Sequence, residues 1–415
     1  MYQKTTLKNG LRVLTAELPH TEVITVLVLV GTGSRFETRD INGVSHFLEH
    51  LFFKGAKRYP DTRAVSEAID GVGGEFNAFT GKDYTGYYVR LAKEHAHLAC
   101  DVLSDMLLHA TFKEEEIERE RGVILEEINM YEDNPMSKVA EVFEEQIFGD
   151  QPLGWPIAGP KDVIRQVTRD QIMAYRDRTY VPENMVIAIT GPIDHAAGLK
   201  LAEEYFQFTN VGQVPVPATF VLPPQQRKNV FHKKTEQAHF WLGTQAYDRY
   251  HEDRYALRVL RTILGGGMSS RLFLSVRERQ GLCYYIAANY DDYADTGAFA
   301  AYAGVDLTRV NQALEATLKE FEVIRNYPVS EAELHKAKSY IKGKTVMSLE
   351  DSENVANMIA HQQLFYNRFF DLSEQRAAID SVTIEQVQKV ARELLAPEKL
   401  SLSLIGPFKE SEIQF

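Results

Sequence analysis

The sequence predicts an α+β protein: a tandem repeat of two homologous α/β-sandwich-type units, each an antiparallel-rich sheet with helices packed on it, joined by a linker. Three observations support this fold class, namely the length of 415 residues, a repeat of strand and helix patterns, and a proline-rich stretch near the middle. A chain of this length exceeds the size at which one hydrophobic core stops growing, so two domains of about 200 residues each are expected.

The ends of the two halves repeat at a constant offset of 215 residues. The first copy reads TRDQIMAYRDRTYVPENMVIAITGPID from Thr168, and the second reads TIEQVQKVARELLAPEKLSLSLIGPF from Thr383. Each copy predicts a helix, a proline-containing turn, an apolar strand and a Gly-Pro end. The threonine, both prolines and the glycine all match at this one offset, which indicates a true internal repeat.

Earlier parts of the two halves correspond in the same order. The apolar strand ITVLVLV, its acidic loop and the helix that follows match AHFWLGTQAYDRYHEDR and the helix after it. In both halves a further strand then leads into a long helix. We therefore predict an N-terminal unit at 1–207, a linker at 208–228 and a C-terminal unit at 229–415.

Composition and charge restrict the class of protein. With 44% apolar and 25% charged residues, the composition is that of a soluble globular protein. The formal charge of -12 disfavours a nucleic-acid binder, which needs a basic surface. The stretch MYQKTTLKNGLRVL lacks the apolar region of a signal peptide, and no stretch is apolar enough to span a membrane. These features, with only Cys100 and Cys283 as cysteines, predict a cytoplasmic protein with reduced thiols.

The stretch GVSHFLEHLFFKG at residues 43–55 predicts a helix that carries polar side chains within an apolar run. In helical projection, His46, Glu49 and His50 share one face. The opposite face consists of Val44, Phe47, Leu48 and Leu51. The corresponding helix of the second half, in RYALRVLRTILGG, has no histidine. A helix that only filled a core would not need the polar residues of the first copy.

Two interpretations fit the segment HFLEH. Histidines four residues apart on one helical face can bind a single zinc ion, and Glu49 beside them can take a proton from a metal-bound water. The pattern H-x-x-E-H is the inverted form of the zincin signature H-E-x-x-H. The alternative is that His46 and His50 are core histidines with hydrogen-bond partners and that Glu49 lies at a helix end. The five residues alone leave both interpretations open.

A catalytic zinc site needs a third protein ligand as well as an open position. Residues 113–135 predict a long acidic helix. Its buried stripe consists of Ile117, Ile124, Ile128 and Tyr131. Glu127 and Glu120 flank that stripe, whereas Glu126 faces solvent. The phase of the helix therefore selects Glu127 as the third ligand and Glu120 as its inward-facing neighbour.

His46, Glu49, His50 and Glu127 together resemble the motif of the inverzincin peptidases, the family of pitrilysin, insulin-degrading enzyme and the mitochondrial processing peptidase. The resemblance covers the whole chain and includes the segments GGEFNAFTGKDYTGYYVRL, ERGVILEEI, PLGWPIAG, EQAHFWLG and LGGGMSSRLFLSVRERQGLCYYI. This short chain of two units is most similar to the bacterial processing-peptidase-like branch of the family.

The resemblance implies a role for each residue of the motif. His46, His50 and Glu127 would bind one zinc ion per chain. Glu49 would be the general base that activates a zinc-bound water, and Glu120 would be a supporting acidic residue.

The resemblance also implies residues that contact substrate. Asn77 and Ala78 match the strand that pairs with the substrate backbone, which is β-strand addition. The second half offers an arginine and a tyrosine that match the family's pair for contacting substrate and steadying the tetrahedral intermediate. The candidates are Arg277 with Tyr284, and the nearby alternatives are Arg279 with Tyr285.

The predicted function is that of a zinc metalloendopeptidase that hydrolyses peptides or unfolded protein segments inside an enclosed cavity. Because one chain holds both the zinc motif and the arginine–tyrosine pair, the resemblance implies a homodimer in which the pair of one chain reaches the zinc of the other. Two alternatives stay open: a structural or assembly subunit that keeps the fold without the chemistry, and a catalytic subunit that needs a sister chain. The intact four-residue motif favours the enzyme.

Overall fold

The computed structural model describes residues 2–210 and 212–415. Its strands are β1 (Tyr2–Thr6), β2 (Arg12–Glu17), β3 (Val23–Val30), β4 (Glu75–Thr80), β5 (Thr85–Ala92), β6 (Met185–Gly191), β7 (Lys228–His232), β8 (Gln237–Ala246), β9 (Cys283–Asp292), β10 (Gly297–Asp306) and β11 (Ser401–Gly406).

The α-helices, in chain order, are α1 (Val44–Phe52), α2 (Thr62–Asp70), α3 (Ala96–His109), α4 (Glu114–Asp133), α5 (Pro135–Phe148), α6 (Lys161–Gln166), α7 (Arg169–Thr179), α8 (His195–Tyr205), α9 (Arg254–Gly265), α10 (Val310–Asn326), α11 (Glu331–Ser348), α12 (Ser352–Tyr366), α13 (Leu372–Asp380) and α14 (Ile384–Leu394). A π-helical segment spans Phe273–Arg279. Among the residues described, no helix is long and apolar enough to cross a membrane.

The strands form two sheets with the same connectivity. The first has the order β1-β2-β6-β3-β5-β4, and the second has the order β7-β11-β8-β10-β9. In each sheet one pair is parallel, β2 with β6 and β7 with β11, and the remaining pairs are antiparallel. The second sheet therefore repeats the first without β1, and the predicted α+β tandem repeat is confirmed.

The repeat extends to the local structure that the sequence predicted. Thr168 caps the start of α7 and Thr383 caps the start of α14, and each forms a capping box with a glutamine three residues later. A capping box satisfies backbone donors that the first helical turn leaves unpaired. Short 3-10 turns at Pro182–Asn184 and Pro397–Lys399 then lead into the matching strands β6 and β11.

The chain divides into two compact units that exchange segments. The first unit comprises the described residues up to Ile128, together with Trp155–Ala218 and Val346–Phe370, and the second comprises Asn129–Gly154, Thr219–Thr345 and Asp371–Phe415. This division differs from contiguous units at 1–207 and 229–415, because the segment containing α5 joins the second unit and the segment containing α12 joins the first.

The exchanged helices cover one face of each sheet. In the first unit, Leu27 and Val186 of the sheet pack with Val355 and Ile359 of α12, and all four side chains are buried. The opposite face of the same sheet packs against a larger core that contains apolar residues of α1, α3 and α7. In the second unit, Phe143 of α5 and its neighbours pack on the second sheet in a comparable way. Each sheet thus has two apolar faces, and helices from its own half of the chain cover only one of them.

Candidate metal centre

Helix α1 is held firmly at its first residues. Gly43 precedes it with a φ of 101°, in the left-handed region, and a Cβ there would lie 2.6 Å from the carbonyl oxygen of Ala158. The buried carboxylate of Glu37 accepts hydrogen bonds from the backbone N–H groups of Gly43 and Ser45, at 2.7 Å each. Burial raises the pKa of Glu37 to about 7. The hydroxyl of Tyr175 lies 2.8 Å from that of Ser45.

The two faces of α1 are arranged as the helical projection predicted. The apolar face is buried, with Val44, Phe47, Leu48 and Leu51 at or near complete burial. On the other face, His46 is 9% exposed, and Glu49 and His50 are half-buried. These three polar side chains are therefore held on a helix whose position is fixed by its core contacts.

The structure brings the three predicted ligands together. His46 and His50 of α1 and Glu127 of α4 each offer a ligand atom, and these atoms lie within 4.8 Å of one another. Nε2 of His46 is 3.6 Å and Nε2 of His50 is 3.3 Å from Oε2 of Glu127. Two atoms bound tetrahedrally to one zinc ion at about 2.0–2.1 Å are about 3.3 Å apart. The donor set and its spacing therefore fit a single zinc ion.

Burial and neighbouring charge give the two histidines different pKa values. Burial, with a smaller effect of His50, lowers the pKa of His46 to about 4. Burial also acts to lower the pKa of His50, but hydrogen bonds to Glu120 and Glu127, with the negative charges of Glu127 and Glu49, outweigh it and raise that pKa to about 9. His46 is thus neutral at pH 7, while His50 holds a proton between two carboxylates. His50 has to lose that proton before Nε2 can bind a metal.

Glu120 lies behind His50 in a position that orients the imidazole. Its carboxylate is only 2% exposed, with one oxygen 3.2 Å from Nδ1 of His50 and the other 2.9 Å from Nζ of Lys54. Burial acts to raise the pKa of Glu120, but the hydrogen bonds from His50 and Lys54 outweigh it and lower that pKa overall. An anionic partner on Nδ1 leaves Nε2 available as a metal ligand.

Glu49 lies on the same face of α1, next to His50 in the chain. Burial raises its pKa, and the hydrogen bond that it accepts from the hydroxyl of Thr80 lowers the pKa by a smaller amount. The bond occupies Oε2 of Glu49. The carboxylate is therefore half-buried and anchored on one side.

Asn77 and Ala78 lie on β4, which is an edge strand of the first sheet. β4 pairs with β5 on one side, where Asn77 is opposite Tyr88 and Ala78 is opposite Tyr87. No other described strand pairs with β4. An unpaired strand edge offers backbone N–H and C=O groups to an extended peptide.

The predicted arginine–tyrosine pairs lie in the second compact unit. Arg277 is 5.9 Å from the ring centroid of Tyr284, whose side chain is 75% exposed. Arg279 is also exposed. The hydroxyl of Tyr285, in contrast, lies 2.8 Å from Nδ1 of His239, and its side chain is half-buried.

Thr80 and Lys54 also belong to this site, and neither was predicted from the sequence. A signal for Lys54 was available, because it follows His50 by four residues and so continues the spacing of the two histidines. Thr80 carried no such signal. Its contact with Glu49 joins residues 31 positions apart and depends on how β4 packs beside α1.

Two family profiles match successive parts of this chain. The family profile "Insulinase (Peptidase family M16)" matches residues 12–161, and the profile "Peptidase M16 inactive domain" matches residues 166–341. A zinc protease of Streptomyces coelicolor is 38% identical over 99% of this chain and 90% of its own length. A zinc protease of Bacillus subtilis is 36% identical over 98% of both chains.

Solved structures give the same result at the level of the fold. A protease from Helicobacter pylori superposes with a TM-score of 0.92 at 25% identity, covering 98% of this chain and 99% of that chain. A peptidase M16 inactive domain from Pseudomonas fluorescens superposes with a TM-score of 0.89 at 19% identity, covering 99% and 98%. The resemblance to the inverzincin peptidases is therefore confirmed, and the chain belongs to peptidase family M16.

Proposed function

We propose that this protein is a zinc metalloendopeptidase that hydrolyses peptides or unfolded protein segments, with His46, His50 and Glu127 as the ligands of one zinc ion per chain. The observation that carries the proposal is the convergence of these three side chains, whose ligand atoms lie within 4.8 Å of one another. His46 and His50 lie on α1, the helix that also bears Glu49, and Glu127 comes from α4. Membership of family M16, with zinc proteases among the relatives, makes it a zinc metallopeptidase by class.

The residues of the site divide the chemistry between them. A bound zinc ion would polarise the scissile carbonyl and acidify a water molecule at its open position. Glu49 accepts a proton on its carboxylate from the attacking water and later donates that proton to the leaving amine. Burial raises the pKa of Glu49, which suits a group that both accepts and donates a proton. Glu120 supports the reaction by holding Nδ1 of His50.

The open edge of β4 receives the substrate in this proposal. An extended peptide adds to the sheet beside Asn77 and Ala78 through backbone hydrogen bonds, which do not depend on its sequence. Only an extended or unfolded segment can pair in this way, so folded proteins are poor substrates.

Arg277 and Tyr284 are the proposed donors to the negative charge that develops on the substrate carbonyl. The exposed hydroxyl of Tyr284 is open to a ligand, whereas that of Tyr285 is engaged with His239, which favours Tyr284 of the two tyrosines. We infer a homodimer in which this pair serves the zinc site of the other chain, inside a cavity enclosed by the two subunits. A solution mass equal to one chain in an active sample would contradict this arrangement.

There are two alternatives to an enzyme that is active as a homodimer. The similarity in fold to a peptidase M16 inactive domain from Pseudomonas fluorescens is compatible with a structural subunit without catalytic activity. A catalytic subunit that needs a sister chain is the other. The complete set of His46, Glu49, His50 and Glu127 favours an active enzyme over the first alternative.

The proposed location is the cytoplasm, and the proposed partners are peptide substrates and a second copy of this chain, without nucleic acid or membrane. Cys100 and Cys283 are both buried and unpaired, and burial raises the pKa of each thiol, so both are inert. Buried, reduced thiols are typical of proteins in a reducing compartment.

The test is hydrolysis of a fluorogenic peptide by the purified chain alone, with its zinc content measured in parallel. The wild type cleaves, a chelator stops cleavage, and added zinc restores it. Glu49→Gln retains one zinc per chain and loses at least about 100-fold in kcat, because the general base is gone. Glu126→Gln, which changes the exposed glutamate beside Glu127, is the matched control and keeps wild-type activity.

Other results would select the alternatives. Zinc binding without turnover, followed by turnover once a second related chain is added, would support the sister-chain function. Absence of both zinc binding and turnover would support the structural subunit. Full activity in Glu49→Gln would remove Glu49 from its role.

A further inference from the structure

We propose that Thr80 is a positioning residue for the general base: its hydroxyl holds the carboxylate of Glu49 at the end of the strand that receives substrate. This inference rests on the proposed function, since it assumes that Glu49 is the base and that β4 binds the peptide.

The contact joins two elements that the sequence keeps apart. Thr80 is the last residue of β4, and Oγ1 of its side chain donates a hydrogen bond to Oε2 of Glu49 on α1. Both side chains are half-buried. The hydroxyl therefore fixes one carboxylate oxygen of Glu49 and leaves the other, Oε1, to accept a proton.

The backbone around Thr80 is well restrained, so its hydroxyl is a rigid support. Thr80 pairs with Thr85 at the last position of the β4–β5 ladder, and Gly81 donates a backbone hydrogen bond to Tyr84 across the turn. The turn is held from outside as well, because the N–H of Ser34 bonds to the carbonyl of Gly81 at 3.1 Å. A glutamate side chain without such a contact can exchange between staggered rotamers, and this support removes much of that freedom.

The position of Thr80 also couples the base to the substrate strand. Asn77 and Ala78 lie three and two residues before Thr80 on the same edge strand. A peptide paired with β4 and a base held by β4 share one rigid element, so their relative position is set before the substrate arrives. Such preorganisation matters because a misplacement of about 1 Å can reduce a rate by about 100-fold.

The test compares kcat with KM for two variants of Thr80 on a fluorogenic peptide. Thr80→Val removes the hydroxyl but keeps the branched side chain, so kcat falls about 100-fold while KM stays within about twofold. Thr80→Ser keeps the hydroxyl and recovers kcat to within about threefold of the wild type. Thr85→Val is the matched control, because it removes a hydroxyl from the paired residue, where that hydroxyl bonds to the backbone of Thr32. It lowers the thermal midpoint without a selective fall in kcat.

A second measurement needs no turnover. Thr80→Val retains one zinc per chain by metal analysis, and its zinc-free form binds a peptide with wild-type affinity by calorimetry, because neither the ligands nor the strand edge is changed. In a Glu49→Gln background the Thr80→Val change has no further effect on the residual rate, since both residues act through one step.

The outcomes separate this inference from the function on which it rests. Unchanged kcat in Thr80→Val, loss of its zinc or its peptide binding, or a failure of Thr80→Ser to recover kcat would each overturn the role of Thr80. If Glu49→Gln is inactive while Thr80→Val is fully active, only this inference fails. If Glu49→Gln is fully active, the role of Glu49 as general base in the proposed function fails as well.

Discussion

At the scale of single residues, Glu37 is a buried carboxylate that anchors α1, the helix of the candidate metal centre, through the N–H groups of Gly43 and Ser45. It has no part in the proposed chemistry. Burial raises the pKa of Glu37 from 4.5 to about 7. Between these two pH values, Glu37 is therefore protonated in the folded protein and ionised in the unfolded chain. Its charge state therefore links the stability of α1 to pH.

The sign of that link gives a prediction. The stability that the raised pKa of Glu37 contributes is fully present below about pH 4.5 and is lost as the pH rises through about 7. The free energy of unfolding of the wild type, minus that of Glu37→Gln, should therefore fall between pH 4.5 and 8, by up to about 3 kcal/mol. Chemical denaturation of both proteins across this range measures the difference, and a difference independent of pH would contradict the prediction.

The parts of the candidate site that could be predicted from the sequence are those whose geometry depends on a single helix. His46 and His50 lie on one face because they are four residues apart, and the phase of α4 places Glu127 toward them while Glu126 is exposed. The contact of Thr80 with Glu49 could not be predicted in this way. It requires the distance between a strand and a helix, and no periodicity encodes that distance.

At the scale of elements, α12 lies in the second half of the sequence but packs on the first sheet. Its apolar residues Val355 and Ile359 are buried against the first sheet. Ser352 at its start bonds to Thr25 of that sheet, with 2.9 Å between the hydroxyl oxygens. The helix therefore stabilises the unit that carries the candidate metal centre.

Ile359→Ala should accordingly destabilise the first unit, although residue 359 follows the predicted linker by more than a hundred residues. Loss of a fully buried isoleucine typically costs about 2–5 kcal/mol. Each compact unit contains one of the two tryptophans, Trp155 in the first and Trp241 in the second. When Ile359→Ala is made in a Trp241→Phe background, the unfolding transition followed by the fluorescence of Trp155 should shift toward lower stability.

Ile341→Ala is the control for this experiment. Ile341 lies on α11 in the same half of the sequence, but its side chain is buried in the core of the second unit. When Ile341→Ala is made in a Trp155→Phe background, the unfolding transition reported by the fluorescence of Trp241 should shift toward lower stability. A shift of the Trp241 transition alone in Ile359→Ala would contradict the assignment of α12 to the first unit.

The exchange of α5 and α12 between the two halves could not be predicted from the sequence, for a physical reason. The apolar faces of α5 and α12 predict that each helix is buried, and the strand patterns predict sheets with two apolar faces. Neither pattern predicts which of the two sheets a given helix covers. Both sheets have the same connectivity and an apolar outer face, so the pairing depends on the path of the chain in space.

At the scale of the whole molecule, the exchange predicts that the two halves of the chain stay together after a cut. The predicted linker at 208–228 contains Val216, which is 88% exposed, and a protease site inserted there should be cleaved readily. Each compact unit would still contain residues from both fragments. The fragments should therefore elute together on size-exclusion chromatography and separate only in denaturant.

The insertion without protease is the control, since it should elute at the same volume. Two fragments that elute separately under native conditions would show that the segments Asn129–Gly154 and Val346–Phe370 contribute little to holding the chain together.

The open edge of β4 also exposes the protein to fibril-like self-association. Free backbone groups on an edge strand attract any extended chain, including the same strand of another copy. β4 has only six residues, and it begins with the exposed carboxylate of Glu75. When two copies align side by side in parallel, these carboxylates meet and repel each other, so the short, charged edge of β4 resists stacking and stays open for the proposed peptide.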